Sequence, residues 1–438
     1  MAPWTQVKFL NVVPDRSRQS AEENSDNAGL TQSVFDTGAV AWPLPDMKLS
    51  DRLTYLLPGG DDGWGLFLRS RDMIAAGKPV TELTIGEHDV RTDPTILDAM
   101  QKAAIGGHTG YAAVPGTAEL RRIVADRVAS RTGTPTGPEN VLITPGGQAA
   151  LFAAHIAAIN PGDRAAFIDP YYATYPGTIR GAGGIPVPMT TLPRDAFQPT
   201  KAALDDALPG CASLLVNSPN NPTGVVYDTP TVERICQAAQ DHDCWLISDE
   251  VYDTQVWDGA HVSPRSMPGM TDRTLVIGSM SKSHAMTGSR IGWVVGPDHV
   301  IEHLINLATH TTYGVAGFIQ DAAVYALTAG QGLETQIGEP FRRRRALAIP
   351  VLEGQNVVRL VPSGGAMYLM LDVRATGLSG EAFAQTLLDT HLIAVMPGES
   401  FGQAAAGHIR VAMTTDDDAF VRALETLVAH ASTLAQTG

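Results

Sequence analysis

Along the chain, short apolar runs alternate with longer stretches in which apolar residues recur every three or four positions. The runs are the length of buried strands, and the periodic stretches are the length of helices. Val80–Ile85, Val141–Ile143, Ala165–Ile168, Ser213–Val216, Cys244–Ser248, Thr274–Gly278 and Ile291–Val295 read as strands. Helical patterns cover Thr92–Ala104, Thr117–Ser130, Gln148–Ile159, Thr231–Asp241, His299–Leu307 and Phe318–Leu327. An earlier helix holds Phe67, Met73 and Ile74 and stops at Gly77. Strands that alternate with helices predict a three-layer α/β fold with a mainly parallel sheet.

A long helix with Arg342-Arg343-Arg344-Arg345 follows, and the basic run is expected to be a solvated face. Beyond it the pattern changes. Strands at Val358–Val361, Ala366–Asp372, His391–Val395 and His408–Met413, with helices at Gly380–Thr390 and at the end of the chain, predict a smaller α+β domain. The expected organisation is an N-terminal arm over 1–45, a segment over 46–90 packing on the small domain, a large domain over 91–335 and a small domain over 336–438.

The polar residues after the strands carry the chemistry. Val80–Ile85 runs into Gly86-Glu87, where a glycine admits close approach of backbone to a ligand or simply ends the strand. Val141–Ile143 leads through Gly146-Gly147 to the N-terminus of a helix beginning with Gln148, an anion-binding geometry. Ala165–Ile168 leads to Asp169–Tyr175, in which Tyr172 either stacks on a flat ring or packs in the core. Ser213–Val216 leads to Asn217–Gly224, a rigid turn that presents side-chain amides, Asn221 among them. Cys244–Ser248 leads to Asp249-Glu250-Val251-Tyr252; a carboxylate there is either paired or a turn former. Thr274–Gly278 leads to Ser279-Met280-Ser281-Lys282, and Arg290 precedes the next apolar run. Lys282 is either a Schiff-base lysine with Ser279 and Arg290 on a phosphate, or a loop lysine beside an unrelated arginine.

Composition narrows the field. The 438 residues are 44% apolar and 18% charged, which suits a globular protein. A formal net charge of -15 disfavours nucleic acid or an anionic membrane as partner, and no apolar run is long enough to span a bilayer. Met1–Ser20 lacks the apolar block of a secretory signal. Cys211, Cys236 and Cys244 form no disulfide framework, and buried thiols in the cytoplasm are the expectation.

The strand-end clusters converge on one need. Pyridoxal phosphate requires an amine for its aldehyde, an acid for its pyridine nitrogen, donors for its phenolate oxygen, and amides with a cation for its phosphate. Lys282, Asp249, Tyr252 with Asn221, and Gly147-Gln148 with Ser279 and Arg290 supply that set.

From about residue 50 to the end the sequence resembles the fold-type I pyridoxal-phosphate aminotransferases, class I/II of the aspartate aminotransferase superfamily. The likeness rests on Gly86-Glu87, Tyr111 with Pro115-Gly116, Gly146-Gly147, Pro170–Tyr175, Asn217–Gly224, Ser248–Tyr252, Ser279–Gly292 and His408-Ile409-Arg410. It implies a homodimer acting on amino acids and 2-oxo acids, pyridoxal 5'-phosphate as cofactor, and no metal. It also implies roles. Lys282 is the Schiff-base lysine and proton carrier, Asp249 pairs with the pyridine nitrogen, and Tyr252 and Asn221 bond the phenolate oxygen. Tyr172 stacks on the ring; Gly147, Gln148, Ser279 and Arg290 hold the phosphate, with Ser281 a weaker candidate. Tyr111 reaches the neighbouring subunit's phosphate, and Arg410, with Gly86 and Asn221 nearby, binds the substrate carboxylate as a two-bond fork. His284 is expected to be structural.

In some aspartate-using relatives a lysine follows the paired glycines, where this chain has Gln148. Ser281–Gly288, His261–Pro264, Tyr313-Gly314, Phe318–Asp321, Ala406–Arg410 and the turn before Trp64 are similar to bacterial arginine–pyruvate aminotransferases. That likeness implies arginine or another long or neutral amino acid as donor, with Asp61, Asp62 or Asp89 as candidates to meet a guanidinium. Other readings stay open on these residues: an aspartate or aromatic aminotransferase, a carbon–sulfur β-lyase on the same fold, or a non-catalytic ligand sensor.

Overall fold

The computed structural model describes residues 47–58 and 63–437. Contacts separate 1–48 from a compact unit over 49–438, which is the unit described below. The expected arm over 1–45 and the candidate carboxylates Asp61 and Asp62 lie outside the described residues.

Among the described residues the strands are β1 (Thr81–Leu83), β2 (Val141–Thr144), β3 (Arg164–Asp169), β4 (Ile185–Thr190), β5 (Cys211–Asn217), β6 (Trp245–Asp249), β7 (Thr274–Ser279), β8 (Gly292–Val295), β9 (Arg359–Leu360), β10 (Tyr368–Asp372), β11 (Ile393–Pro397) and β12 (His408–Ala412). Seven form one sheet in the order β2-β8-β7-β6-β5-β3-β4. Its neighbours run parallel from β7 to β4, and β8 is antiparallel to both β7 and β2. The other sheet runs β1-β11-β12-β10-β9, with β1 parallel to β11 and the rest antiparallel.

Successive residues of β5 show why three layers form. Leu214 and Val216 pack with Leu204, Val232 and Ile235 on one face. Leu215, between them, packs with Phe167, Ile247 and Ala154 on the other. The period of two in a strand sends alternate side chains to opposite faces, so a continuous apolar run buries only if helices cover both. Each such leucine contributes about 1.5–3 kcal/mol of burial. The helix Ala118–Thr132 joins a further cluster through Leu120 and Val124, packed on Ile143 and Trp293. The five-stranded sheet has its own core around Phe383, Leu369 and Val411.

One strand was not anticipated, and two expectations need correction. Ile185–Thr190 is a strand although Pro186 and Pro188 argue against one. It is the sheet's edge, bonded only to β3, and an edge tolerates residues that cannot donate to a second neighbour. His391 ends the helix Gly380–His391 instead of opening a strand, because Leu392 adopts a left-handed conformation (φ 56). The arginine run is not one solvated face. Four successive residues of a helix at about 100° each go round the whole circumference, so one of them must point inward. That residue is Arg344, which is buried and donates to Asp89 (2.6 and 2.9 Å), Asp417 (3.0 Å) and the Met413 carbonyl (2.9 Å). Asp89 is thereby committed to Arg344 and is not free to meet a substrate guanidinium.

Cys211, Cys236 and Cys244 are buried free thiols. Among the described residues no helix is long and apolar enough to cross a membrane.

Candidate active site

Strands β5, β6 and β7 run parallel, so their C-terminal ends open on one side of the sheet, with the paired glycines after β2 beside them. There they line a cleft of about 380 Å³ with Gly86, Gly147, Gln148, Tyr172, Asn221, Asp249, Tyr252, Ser279, Lys282, Arg290 and Arg410. Ser281, the weaker candidate, lines it too. Of the residues named from sequence, Tyr111 stands apart. It is 92% exposed and meets Tyr313 edge-on at 5.2 Å.

The lysine turn is built tightly. β7 ends at Ser279, which caps the four-residue helix Met280–Ser283 by accepting from the Ser281 amide (3.1 Å). The Lys282 ammonium donates to the Gly86 carbonyl. Gly86 can be nothing larger, because a Cβ there would stand 1.8 Å from the Tyr368 hydroxyl. Arg290 takes a left-handed conformation (φ 52), which turns its guanidinium back to donate to the Thr287 carbonyl (2.8 Å) and to lie against Gly146.

The helix Gly147–Ala158 starts with no side-chain cap. Its first amides therefore lack intrahelical partners, and they face a space shared with Arg290 and the Ser279 and Ser281 hydroxyls. A Cβ on Gly146 would sit 2.5 Å from the Arg290 guanidinium. This is an anion cradle with amides, hydroxyls and one cation, and it fits a phosphate monoester. Gln148 is held to one side, donating to Thr178 (2.8 Å) and accepting from Thr174 (3.0 Å).

Asp249 is buried at the end of β6. Tyr175 donates to it at 2.7 Å, and among the described residues it makes no ion pair. Burial pushes its carboxyl up to about 6. A buried carboxyl without a cation fits a site that receives a positive ring nitrogen. Asn217 accepts from the Asn221 amide (2.8 Å) and donates to the Asp249 carbonyl (2.9 Å), which ties the two strand ends together. The Tyr252 and Tyr368 hydroxyls share a hydrogen bond of 2.9 Å. Burial raises the Tyr252 phenol well above its ordinary value. Tyr172 packs edge-on to Tyr175 at 5.7 Å.

Arg410 comes from the other sheet. It is 1% exposed and lies between the rings of Tyr368 (4.4 Å) and Phe401 (4.3 Å). It donates to Asn221 Oδ1 (2.8 Å) and the Thr84 carbonyl (2.5 Å), and its Nε has no partner. Among the described residues it too makes no ion pair. Burial lowers its pKa, so the guanidinium charge is held at a cost that an incoming carboxylate offsets.

Sequence reasoning assigned no role to Tyr175, Asn217, Tyr368 or Phe401. The first two stand inside motifs that were singled out. Tyr368 and Phe401 have no local signal, since only the fold brings β10 and the turn after β11 to Arg410. His284 is buried against Ser283 (2.8 Å) and does not line the cleft.

Comparison with known proteins agrees with this chemistry. The family model described as aminotransferase class I and II matches residues 78–427. Arginine–pyruvate transaminase AruH of Pseudomonas aeruginosa is 39% identical over 368 residues, 84% of this chain and 94% of that protein. The aspartate/prephenate aminotransferase of Thermus thermophilus is 35% identical over 354 residues, 80% of this chain and 90% of that protein. The solved structure of Thermus thermophilus aspartate aminotransferase with maleate superposes with a TM-score of 0.82 at 32% identity, covering 88% of this chain and all of that one (100%). With its lysine, its anion cradle and its carboxyl at the strand ends, the chain belongs to the class I and II aminotransferases and is a pyridoxal-phosphate-dependent enzyme.

Proposed function

We propose that the enzyme moves the amino group of a long-chain L-amino acid, arginine foremost, to a 2-oxo acid such as pyruvate or 2-oxoglutarate by a ping-pong sequence. The observation that carries this is the charge of the cleft. Its cationic side chains are Lys282, Arg290 and Arg410, each with a task in holding cofactor or α-carboxylate, and Glu87 adds a carboxylate at the rim. Glu87 accepts a hydrogen bond from Thr287 (3.4 Å) and is exposed. Among the described residues no spare cation lines the cleft for the distal carboxylate of aspartate, and Gln148 is neutral. The similarity to a relative named for arginine and pyruvate supports the same reading.

Bound pyridoxal phosphate supplies an aldehyde for the substrate amine and an electron sink for its α-carbon. The chain's own residues do the rest. The uncapped helix amides, Ser279 and Arg290 would hold the phosphate, and Tyr172 would pack against the ring. Asp249 would keep a proton at the ring nitrogen, while Tyr252 and Asn221 would donate to the ring oxygen. Arg410 would orient the substrate carboxylate, and Lys282 Nζ would be the base that carries the α-proton.

A homodimer completes the proposal, with Tyr111 entering the neighbouring site; the exposed Tyr111–Tyr313 pair supports it. The domain division at about 335, with 46–90 joined to the small domain, is supported by the pairing of β1 with β11. The buried thiols support a cytoplasmic setting.

The test is half-reaction spectroscopy of the purified enzyme with arginine, lysine, aspartate and phenylalanine. Arginine is expected to convert the lysine-bound cofactor band fastest. Faster conversion by aspartate, with arginine silent, overturns the substrate assignment.

A further inference from the structure

Lys282 is held at both ends by a single three-residue turn. Its ammonium donates to the Gly86 carbonyl, and its own carbonyl accepts from the His88 ring at 3.0 Å. A second side chain, Gln255, donates to the same carbonyl, also at 3.0 Å. The need for such donors is local. The helix Met280–Ser283 is one turn long, and the amide that would continue it, that of Met286, goes to the Met280 carbonyl instead (3.3 Å). The Lys282 carbonyl is therefore an orphan of a helix C-terminus, and two side chains from distant segments satisfy it.

Both donors are themselves fixed. Gln255 is 1% exposed; its amide N–H donates to the Tyr252 carbonyl (2.8 Å), and its own carbonyl accepts from Ala366 (2.8 Å). His88 packs edge-on against Phe341 at 5.3 Å. A carbonyl only accepts, so the His88 nitrogen facing it, Nε2, carries the proton. The other ring nitrogen, Nδ1, is buried and has no partner. The ring is then neutral, as its place beside an ammonium requires. Burial and the Lys282 charge hold it neutral down to about pH 3.

We propose that His88 and Gln255 are positioning residues for Lys282, which fix the lysine backbone so that Nζ swings between the cofactor and the substrate α-carbon from a constant base. The pair joins the Gly86 turn, the turn that follows Asp249–Tyr252, and the lysine turn at one oxygen. It rests on the reading of Lys282 as the proton carrier. Neither residue touches substrate, so their loss acts on the chemical step and on the environment of Nζ more than on substrate affinity.

The experiment uses the full-length holoenzyme and four variants: His88→Phe, His88→Gln, Gln255→Leu and the double variant H88F/Q255L. Phenylalanine keeps the ring and removes the donor, while glutamine restores an N–H at about the reach of Nε2. His88→Phe is expected to lower kcat about 10- to 100-fold with KM changed less than about threefold, the scale of a misplaced reacting group. It is also expected to move the pH midpoint of the lysine-bound cofactor's visible band by about half a unit or more. His88→Gln is expected to recover most of both, Gln255→Leu to act in the same direction, and the double variant to lose less than the product of the two. Unchanged kcat and band midpoint in both single variants overturns the proposal, and so does His88→Gln failing as badly as His88→Phe. If His88→Phe does not fold, the Gln255→Leu band midpoint decides alone. Borohydride reduction of the same samples, with mapping of the modified lysine, separates the underlying reading: cofactor fixed to a lysine other than Lys282 sinks that reading itself.

Discussion

Asp249 ends β6 and Asp253 follows it by four residues, and the two live in opposite electrostatic worlds. Asp249 is buried with a tyrosine hydroxyl and no cation, and its carboxyl is pushed up to about 6. Asp253 faces Arg127 (3.6 Å) and Arg131, with Glu334 joining the cluster from the helix Gly332–Glu353 (2.6 Å to Arg127). Burial works against the Asp253 charge, but the two guanidiniums outweigh it and hold its pKa below the ordinary value. The difference teaches how to tell a functional carboxyl from a structural one. A structural carboxyl brings its counter-charge with it, whereas Asp249 is left without one in the wall of a cleft where a cationic ring nitrogen fits.

The largest effect sharpens this contrast on the functional side. Asp249→Asn is expected to slow the half-reaction with arginine by on the order of 10²–10³-fold, because a neutral amide no longer holds the ring nitrogen's proton. Single-turnover absorbance measures it, and a rate within about threefold of the parent breaks the comparison. Asp253→Asn is expected to do the reverse. It leaves two arginines facing Glu334 alone and lowers stability by about 1–3 kcal/mol, below the scale for breaking a fully buried ion pair because the cluster is only half-buried, with turnover per folded molecule within a few-fold. Urea denaturation with an activity assay checks both halves.

The pH dependence separates the two carboxyls by sign. Asp249 has a folded pKa of about 6 against an ordinary 3.8, so over that window the unfolded chain releases its proton first. Its contribution to the cofactor-free protein is present below about pH 4 and lost as pH rises through about 6, up to about 3 kcal/mol in all. Asn at 249 therefore gains stability over the parent as pH rises from 4 to 6. Asp253, with its pKa depressed, contributes above the ordinary carboxylate range and loses that contribution in acid, so Asp253→Asn costs less as pH falls. Denaturant titrations at several pH values read the two slopes, and equal signs contradict the assignment. The smallest effect is Tyr175→Phe, which removes one hydrogen bond to Asp249 and is expected to cost about 1 kcal/mol. The same titrations should show the Asp249 transition moving to higher pH.

Much of this was legible in the chain. Most cofactor-side residues follow an apolar run within a few positions, so the alternation of strands and helices places them at a sheet's C-terminal edge; Arg290 instead precedes one. Lys282, Asp249, Asn221 and the paired glycines are of that kind. Features made by long-range packing were not legible. Arg410 is enclosed by Tyr368 and Phe401 only after the five-stranded sheet forms, and the Arg344–Asp89 pair spans more than 250 positions of sequence. The edge strand β4 was hidden for another reason: its prolines are tolerated by its place in the sheet, which no local pattern reveals. His88 carried no local signal either, because its partner is a backbone carbonyl almost two hundred residues away.

The most direct measurement of the central claim is chemical. The chain has six lysines, and among the described residues only Lys282 lines the cleft. Reduction of the holoenzyme with borohydride, followed by proteolysis and mass spectrometry, is expected to find the reduced cofactor on the peptide containing Ser281-Lys282-Ser283. The same treatment of Lys282→Ala is expected to yield no modified peptide and almost no turnover. Cofactor attached to another lysine, or a Lys282→Ala enzyme that turns over normally, would contradict the account.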